Sequence, residues 1–187
     1  MDDSRAVVLV EGVSDQAALE ALARRRGRDL AVEGIEIVSM GGATNVRTFL
    51  ERYGPHGQDV RLAGLCDSGE ADHVRRRLAD AGLGSALAPD GMEALGFHVC
   101  VADLEDELIR AVGAHGVERV VEAAGELASF RIFQNQPAQR ERSPEAQLRR
   151  FMGTRKGRKA RYARLLVDAL DLTRVPRPLD RVLDVRG

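Results

Sequence analysis

The chain has 187 residues, of which 44% are hydrophobic and 30% charged, with a formal net charge of −1; this fits one globular domain of ordinary size with a small appendage. Aromatics make up 4% and Trp is absent, which argues against base-stacking platforms as the main binding device. No apolar run approaches the roughly 20 residues of a membrane span, and Met1-Asp2-Asp3-Ser4 lacks the apolar stretch of a secretory signal, so the expected location is cytoplasmic.

Residues 5–10 read as a buried strand that ends at Glu11-Gly12. Ser14 is expected to cap a helix through about Arg26, with Ala17, Ala18, Leu19, Leu22 and Ala23 on its apolar side. A second strand covers 35–40, Gly41-Gly42 makes a turn, and 43–53 form a helix with Val46, Phe49 and Leu50 inward. The third strand, 60–66, runs into Asp67-Ser68-Gly69-Glu70 and a helix from about Gly69 to Ala81. A fourth strand near 97–101 leads to Asp103-Leu104-Glu105-Asp106-Glu107 and a helix over 104–112. Strands alternating with helices predict an α/β domain in three layers around a parallel sheet.

After about residue 113 the strand patterns stop. Helices are expected over 116–128, 145–152 and 158–171, a polar proline-containing loop over 134–144, and a short final helix around 179–184. The organisation is therefore an α/β core over 1–113 and a helical, basic extension over 114–187 packed on it.

Three of these strands run into acids. In a parallel sheet the carboxyl ends of the strands line one edge, where ligands bind. Acids far apart in sequence would converge there, and clustered carboxylates repel one another unless protonated or bridged by a cation. Hard oxygen ligands suit Mg²⁺ or Mn²⁺. The charge is also lopsided: Arg131 to Arg164 holds eleven basic and two acidic residues, a local net of +9, which leaves −10 for the rest. An acidic metal-binding half joined to a basic tail fits a polyanion that bridges both, and clustered Arg and Lys are the usual footprint for nucleic acid. Of 28 basic residues only Lys156 and Lys159 are lysine, which singles out one loop for a compact ammonium suited to a phosphoryl transition state.

The ordered set of motifs resembles the TOPRIM domain shared by topoisomerases, bacterial primases, small RNA-maturing nucleases and nucleases of the overcoming-lysogenization-defect (OLD) family, and it is most similar to the OLD type. Val8-Leu9-Val10-Glu11-Gly12-Val13-Ser14-Asp15 resembles its opening motif, with a second acid four residues after the Glu. Gly64-Leu65-Cys66-Asp67 resembles the second motif, and Asp103-Leu104-Glu105-Asp106-Glu107-Leu108 the third acidic segment. Lys156 or Lys159, before Arg161-Tyr162-Ala163, resembles its late basic position. The second motif departs from the common Asp-x-Asp: its third position is Gly69, and the next acids are Glu70 and Asp72.

The resemblance implies a Mg²⁺- or Mn²⁺-dependent endonuclease of the stand-alone TOPRIM type, acting on DNA in preference to RNA. Glu11, Asp67 and Lys159 would be catalytic. Glu11, Asp15, Asp67, Asp103 and Glu105 would supply metal ligands, holding two ions about 4 Å apart if both sites form. Arg149, Arg150, Arg155, Lys156 and Arg158 would hold the nucleic acid. Gly12 and Gly69 would let phosphate approach backbone N–H groups. The alternative, which Gly69 in the second motif supports, is a catalytically weak nucleic-acid-binding TOPRIM module acting with a separate ATPase subunit; the sequence has no Gly-x-x-x-x-Gly-Lys-Ser/Thr motif, so any ATP gating would come from that partner.

Each acid also has a plainer explanation. Asp15, Glu70, Asp103 and Glu105 fall near helix first turns, where acids favour the macrodipole. That account is weaker for Glu11 and Asp67, which end strands. A receiver-like or phosphatase-like domain would explain Asp67 but neither Glu11 nor the basic tail. His56, His73, His98 and His115 share no ligand spacing and read as surface or core residues. Cys66 and Cys100 read as buried thiols, and neither Tyr53 nor Tyr162 is placed as a topoisomerase nucleophile.

Overall fold

The computed structural model of the chain describes residues 5–88 and 90–185. Four strands, β1 (Ala6–Val10), β2 (Ile35–Ser39), β3 (Arg61–Asp67) and β4 (Phe97–Cys100), form one parallel sheet in the order β2-β1-β3-β4. Apolar residues crowd both faces of β1, as burial of a parallel strand on both sides requires. Ala6, Val8 and Val10 face one cluster, and Val7 and Leu9 face another.

The first cluster is covered by α1 (Val13–Arg25) through Ala18, Leu19 and Leu22, and by α5 (Leu104–Val112) through Leu104, Leu108 and Ile109. The second is covered by α2 (Val46–Tyr53), entered through a 3₁₀ turn at 43–45, and by α3 (Ala71–Asp80). A short helix α4 (Gly91–Ala94) precedes β4. The chain thus leaves β1 for β2, then returns past β1 to lay down β3. The direction of winding reverses between β1 and β3, and the crevice at that switch point is where open α/β sheets bind ligands.

The remaining helices are α6 (Ala114–Ala123), α7 (Leu127–Gln134), α8 (Pro137–Arg140), α9 (Pro144–Met152), α10 (Arg158–Ala169) and α11 (Arg177–Val182). They share the sheet's own core: Phe130, Leu148, Tyr162 and Leu166 belong to the same cluster as Val8 and Val10. Phe151 is the aromatic hub of this half, meeting Phe130, Phe133 and Tyr162.

Several boundaries differ from the sequence expectation. Ser14 does not cap α1. The helix starts at Val13 with Gly12 as its N-cap, and Asp15 reaches back to accept a hydrogen bond from the Gly12 N–H at 2.7 Å. The helix expected over 116–128 is two helices, because Gly125 adopts φ of 74° and turns the chain between them. The expected loop over 134–144 contains α8, which opens with Pro137 at its first turn. Cys66 and Cys100 are buried free thiols; burial pushes Cys66 up to about 12 and Cys100 upward as well, which removes thiolate chemistry. Among the described residues no helix is long and apolar enough to cross a membrane.

Candidate metal centre and basic wall

β1 and β3 are neighbours in parallel register, with Val10 opposite Leu65. Glu11 is the first residue past β1 and Asp67 the last of β3, so both emerge on the carboxyl edge at the switch point. Asp67 lies opposite Cys100 at the end of β4, and Asp103 follows three residues later as the N-cap of α5. The Gly41-Gly42 turn after β2 closes the other side, where the Gly42 N–H donates to the Glu11 carbonyl at 2.9 Å.

The carboxylates at this edge act on one another. Asp67 is pushed up to about 7, chiefly by burial and then by Glu11, Asp103, Asp15 and Glu105. Asp15 rises to about 6, again chiefly by burial, against the lowering effect of its hydrogen bond from Gly12. Glu11 is also raised, by burial first and then by the charge of Glu70. Glu70, one of the two candidates for the incomplete second motif, therefore faces the edge. The other, Asp72, is exposed and paired with Arg75 at 2.7 Å.

Two cations from the C-terminal helices already touch this edge. Lys159 on α10 places Nζ 3.2 Å from Glu105 Oε2. Burial alone would lower its pKa, but Glu105, Asp103 and Asp15 raise it on balance. Arg149 on α9 grips one oxygen of Asp103, with Nε at 2.8 Å and Nη2 at 2.5 Å, while the other oxygen caps α5 by accepting from the Asp106 N–H at 2.8 Å. Asp103 is thus fully engaged. Glu11 Oε2 and Glu105 Oε1 are buried and lack any hydrogen-bond partner. Buried, unpartnered, mutually repelling carboxylate oxygens are what a divalent cation would satisfy, so the donor set fits Mg²⁺ or Mn²⁺. Among the described residues no three acids, histidines or cysteines are already drawn together in ion-holding geometry.

The expected nucleic-acid residues divide. Arg150, Arg155 and Lys156 are exposed and carry no ion pair among the described residues. Arg149 serves Asp103. Arg158 turns inward: it is 6% exposed, stacks 4.2 Å over Phe151 and pairs with Glu126 at 3.0 Å, so it builds the core rather than the wall. The signal for this was present, because Arg158, Tyr162 and Leu166 fall at i, i+4 and i+8 on the buried face of α10. A side chain at Gly69 would meet nothing within 4 Å, and one at Gly12 would meet only ordinary contacts, so neither glycine is required by the chain's own packing.

A parallel sheet with strand-end acids at its switch point and a late lysine beside them is the arrangement that the TOPRIM resemblance implies. Residues 4–67 match the family model for the TOPRIM domain of proteins like the overcoming lysogenization defect protein. The whole fold superposes on the C-terminal region of the OLD protein of Burkholderia pseudomallei, with a TM-score of 0.72 and 22% identity over 97% of this chain and 96% of that one. It also superposes on the C-terminal region of the OLD protein of Xanthomonas campestris pv. campestris, with a TM-score of 0.71 and 26% identity over 98% and 95%. No curated relative matches the chain. Residues 4–67 are thus similar to the TOPRIM domain of OLD-like proteins, and the fold is that of the OLD C-terminal regions; TOPRIM domains generally bind divalent metal ions and serve nucleic-acid chemistry.

Proposed function

We propose that the chain is a divalent-metal-dependent nuclease that hydrolyses phosphodiester bonds of DNA, and RNA less readily, at the edge between β1 and β3. The observation that carries this reading is that Glu11 and Asp67 close neighbouring parallel strands at the switch point and act on each other's charge, with a buried Glu11 oxygen that has no partner. Glu11 and Asp67 would hold the cation, with Asp15 and Glu105 beside it. Bound Mg²⁺ or Mn²⁺ supplies a Lewis acid and an activated water. Arg150, Arg155 and Lys156 draw the phosphate backbone to an edge that would otherwise repel it. Lys159 stands where it can share its charge between Glu105 and a reacting phosphate. Mn²⁺-dependent nicking or cutting of plasmid DNA, lost in Glu11→Gln while the fold is retained, is the expected result. Full activity in that variant, after removal of contaminating nucleases, would overturn the proposal.

One observation favours a second reading. Asp103 and Glu105 are held by Arg149 and Lys159, so the third motif is neutralised from within the protein. A catalytically weak nucleic-acid-binding module that works with a separate ATPase subunit would keep that arrangement. Such a module would bind DNA in the same experiment without cutting it.

A further inference from the structure

The opposite edge of the sheet holds a feature the nuclease reading does not use. Where β3 and β4 begin, a cavity of about 640 Å³ opens between the strand ends, the loop at Leu83 and the C-terminal segment that follows α11. Leu62, Leu95, Phe97, Val182 and Val185 give it apolar walls. Its size is in the range of sites for small organic ligands.

One polar side chain is built into this apolar enclosure. His98 lines the cavity and is only 8% exposed, yet it has no hydrogen-bond partner among the described residues. Burial lowers its pKa, so the ring is neutral at physiological pH and offers one N–H donor and one bare acceptor nitrogen. The ring nitrogens are not among the fully buried atoms that lack a partner, so they are reached through the cavity and are open to a ligand there. The charges around the rim balance: Glu93 pairs with Arg177 at 2.7 Å, Arg181 with Asp184 at 3.4 Å, and Asp59 and Arg61 add one charge of each sign. A ligand seated here would therefore meet apolar walls, a neutral imidazole and a rim without excess charge.

We propose that this cavity is a second ligand site, separate from the acidic edge, for a neutral small molecule with a flat apolar body and one hydroxyl or N–H group that hydrogen-bonds to His98. The rim carries no net charge that would favour a phosphate or a metal ion, and the apolar walls disfavour a strongly hydrated ligand.

Phenol and toluene are suitable probes because they share a ring and differ by one hydroxyl. Binding would be followed by NMR on the full chain, in EDTA and without nucleic acid, through the His98 ring and the Leu62, Leu95 and Val182 methyl signals. Phenol should bind saturably and about tenfold more tightly than toluene, the value of one buried hydrogen bond. His98→Phe, which keeps the volume, should erase that difference. Ala94→Trp, at an exposed rim position, should block both probes without touching the core, and so serves as the test if His98→Phe fails to fold. Equal affinities for the two probes in the wild type, a phenol preference that survives in His98→Phe, or signals that move outside the cavity would overturn the proposal. None of these outcomes depends on whether the acidic edge cleaves DNA.

Discussion

Lys159 Nζ lies 3.2 Å from Glu105 Oε2 although 54 residues separate them. The contact joins the basic C-terminal half to the acidic edge, and it gives the lysine a role distinct from that of its arginine neighbours. Lys159→Met should lower kcat for DNA cleavage by roughly 10²-fold or more while changing KM little, because a transition-state contact acts on the rate. Steady-state kinetics check this. A loss confined to KM would make Lys159 one more phosphate contact.

The exposed cations should behave differently. Arg150→Ala, Arg155→Ala and Lys156→Ala together should weaken DNA binding for every sequence and flatten its dependence on salt, by a slope of about 0.9 per lost phosphate contact on duplex DNA. Arg158→Ala should leave that slope unchanged. It should instead destabilise the fold by about 3 kcal/mol, as breaking a buried pair does, since Glu126 keeps its hydrogen bond from Tyr162. Binding titrations at several salt concentrations and urea denaturation separate the two classes.

The acids predict a pH effect in the metal-free protein. Asp67 sits near 7 and Asp15 near 6, against an ordinary value of 3.8 for both. Raised values favour the neutral carboxyls in the folded state, so their contribution to stability is complete below about pH 4 and is lost as pH climbs through about 6 to 7. In EDTA the Tm should therefore fall between about pH 5 and pH 8. Asp67→Asn should raise the Tm at pH 8 and flatten the profile, and Mn²⁺ should restore stability more at pH 8 than at pH 5. A Tm in EDTA that is independent of pH would show that these carboxyls are not strained by one another.

Gly64 in β3 tests the packing that sets the edge. A Cβ there would lie 2.5 Å from the Phe97 ring and 3.0 Å from the Leu9 carbonyl. Gly64→Ala should cost about 1–3 kcal/mol, the usual range for overpacking a core. Thermal and chemical denaturation would measure it, and an unchanged midpoint would mean that the Phe97 ring moves aside freely.

Much of this was legible in the chain. Val7 to Val10 and Leu62 to Cys66 are apolar runs that end in an acid, and a parallel sheet turns that local pattern into a shared edge. What escaped was decided by which side chain turns inward. Nothing local marks Asp103 as the partner of Arg149, because that contact depends on how α9 lies across α5. Arg158 looked like its neighbours, yet it sits on the buried stripe of α10 and takes Glu126 as its counter-ion. The break between α6 and α7 could have been read from Gly125 before Glu126, a glycine in the position that ends many helices. The cavity at His98 could not, since it is made by strands and a C-terminal helix that are distant in sequence.

The central claim is that acids from separate strand ends form one divalent-cation site. Crystals of the protein soaked in Mn²⁺ and measured for anomalous scattering test it most directly. The expected result is a Mn²⁺ peak between the Glu11 and Asp67 carboxylates, with Asp15 or Glu105 beside it. A well-occupied Mn²⁺ site elsewhere, with the edge between β1 and β3 empty, would contradict it.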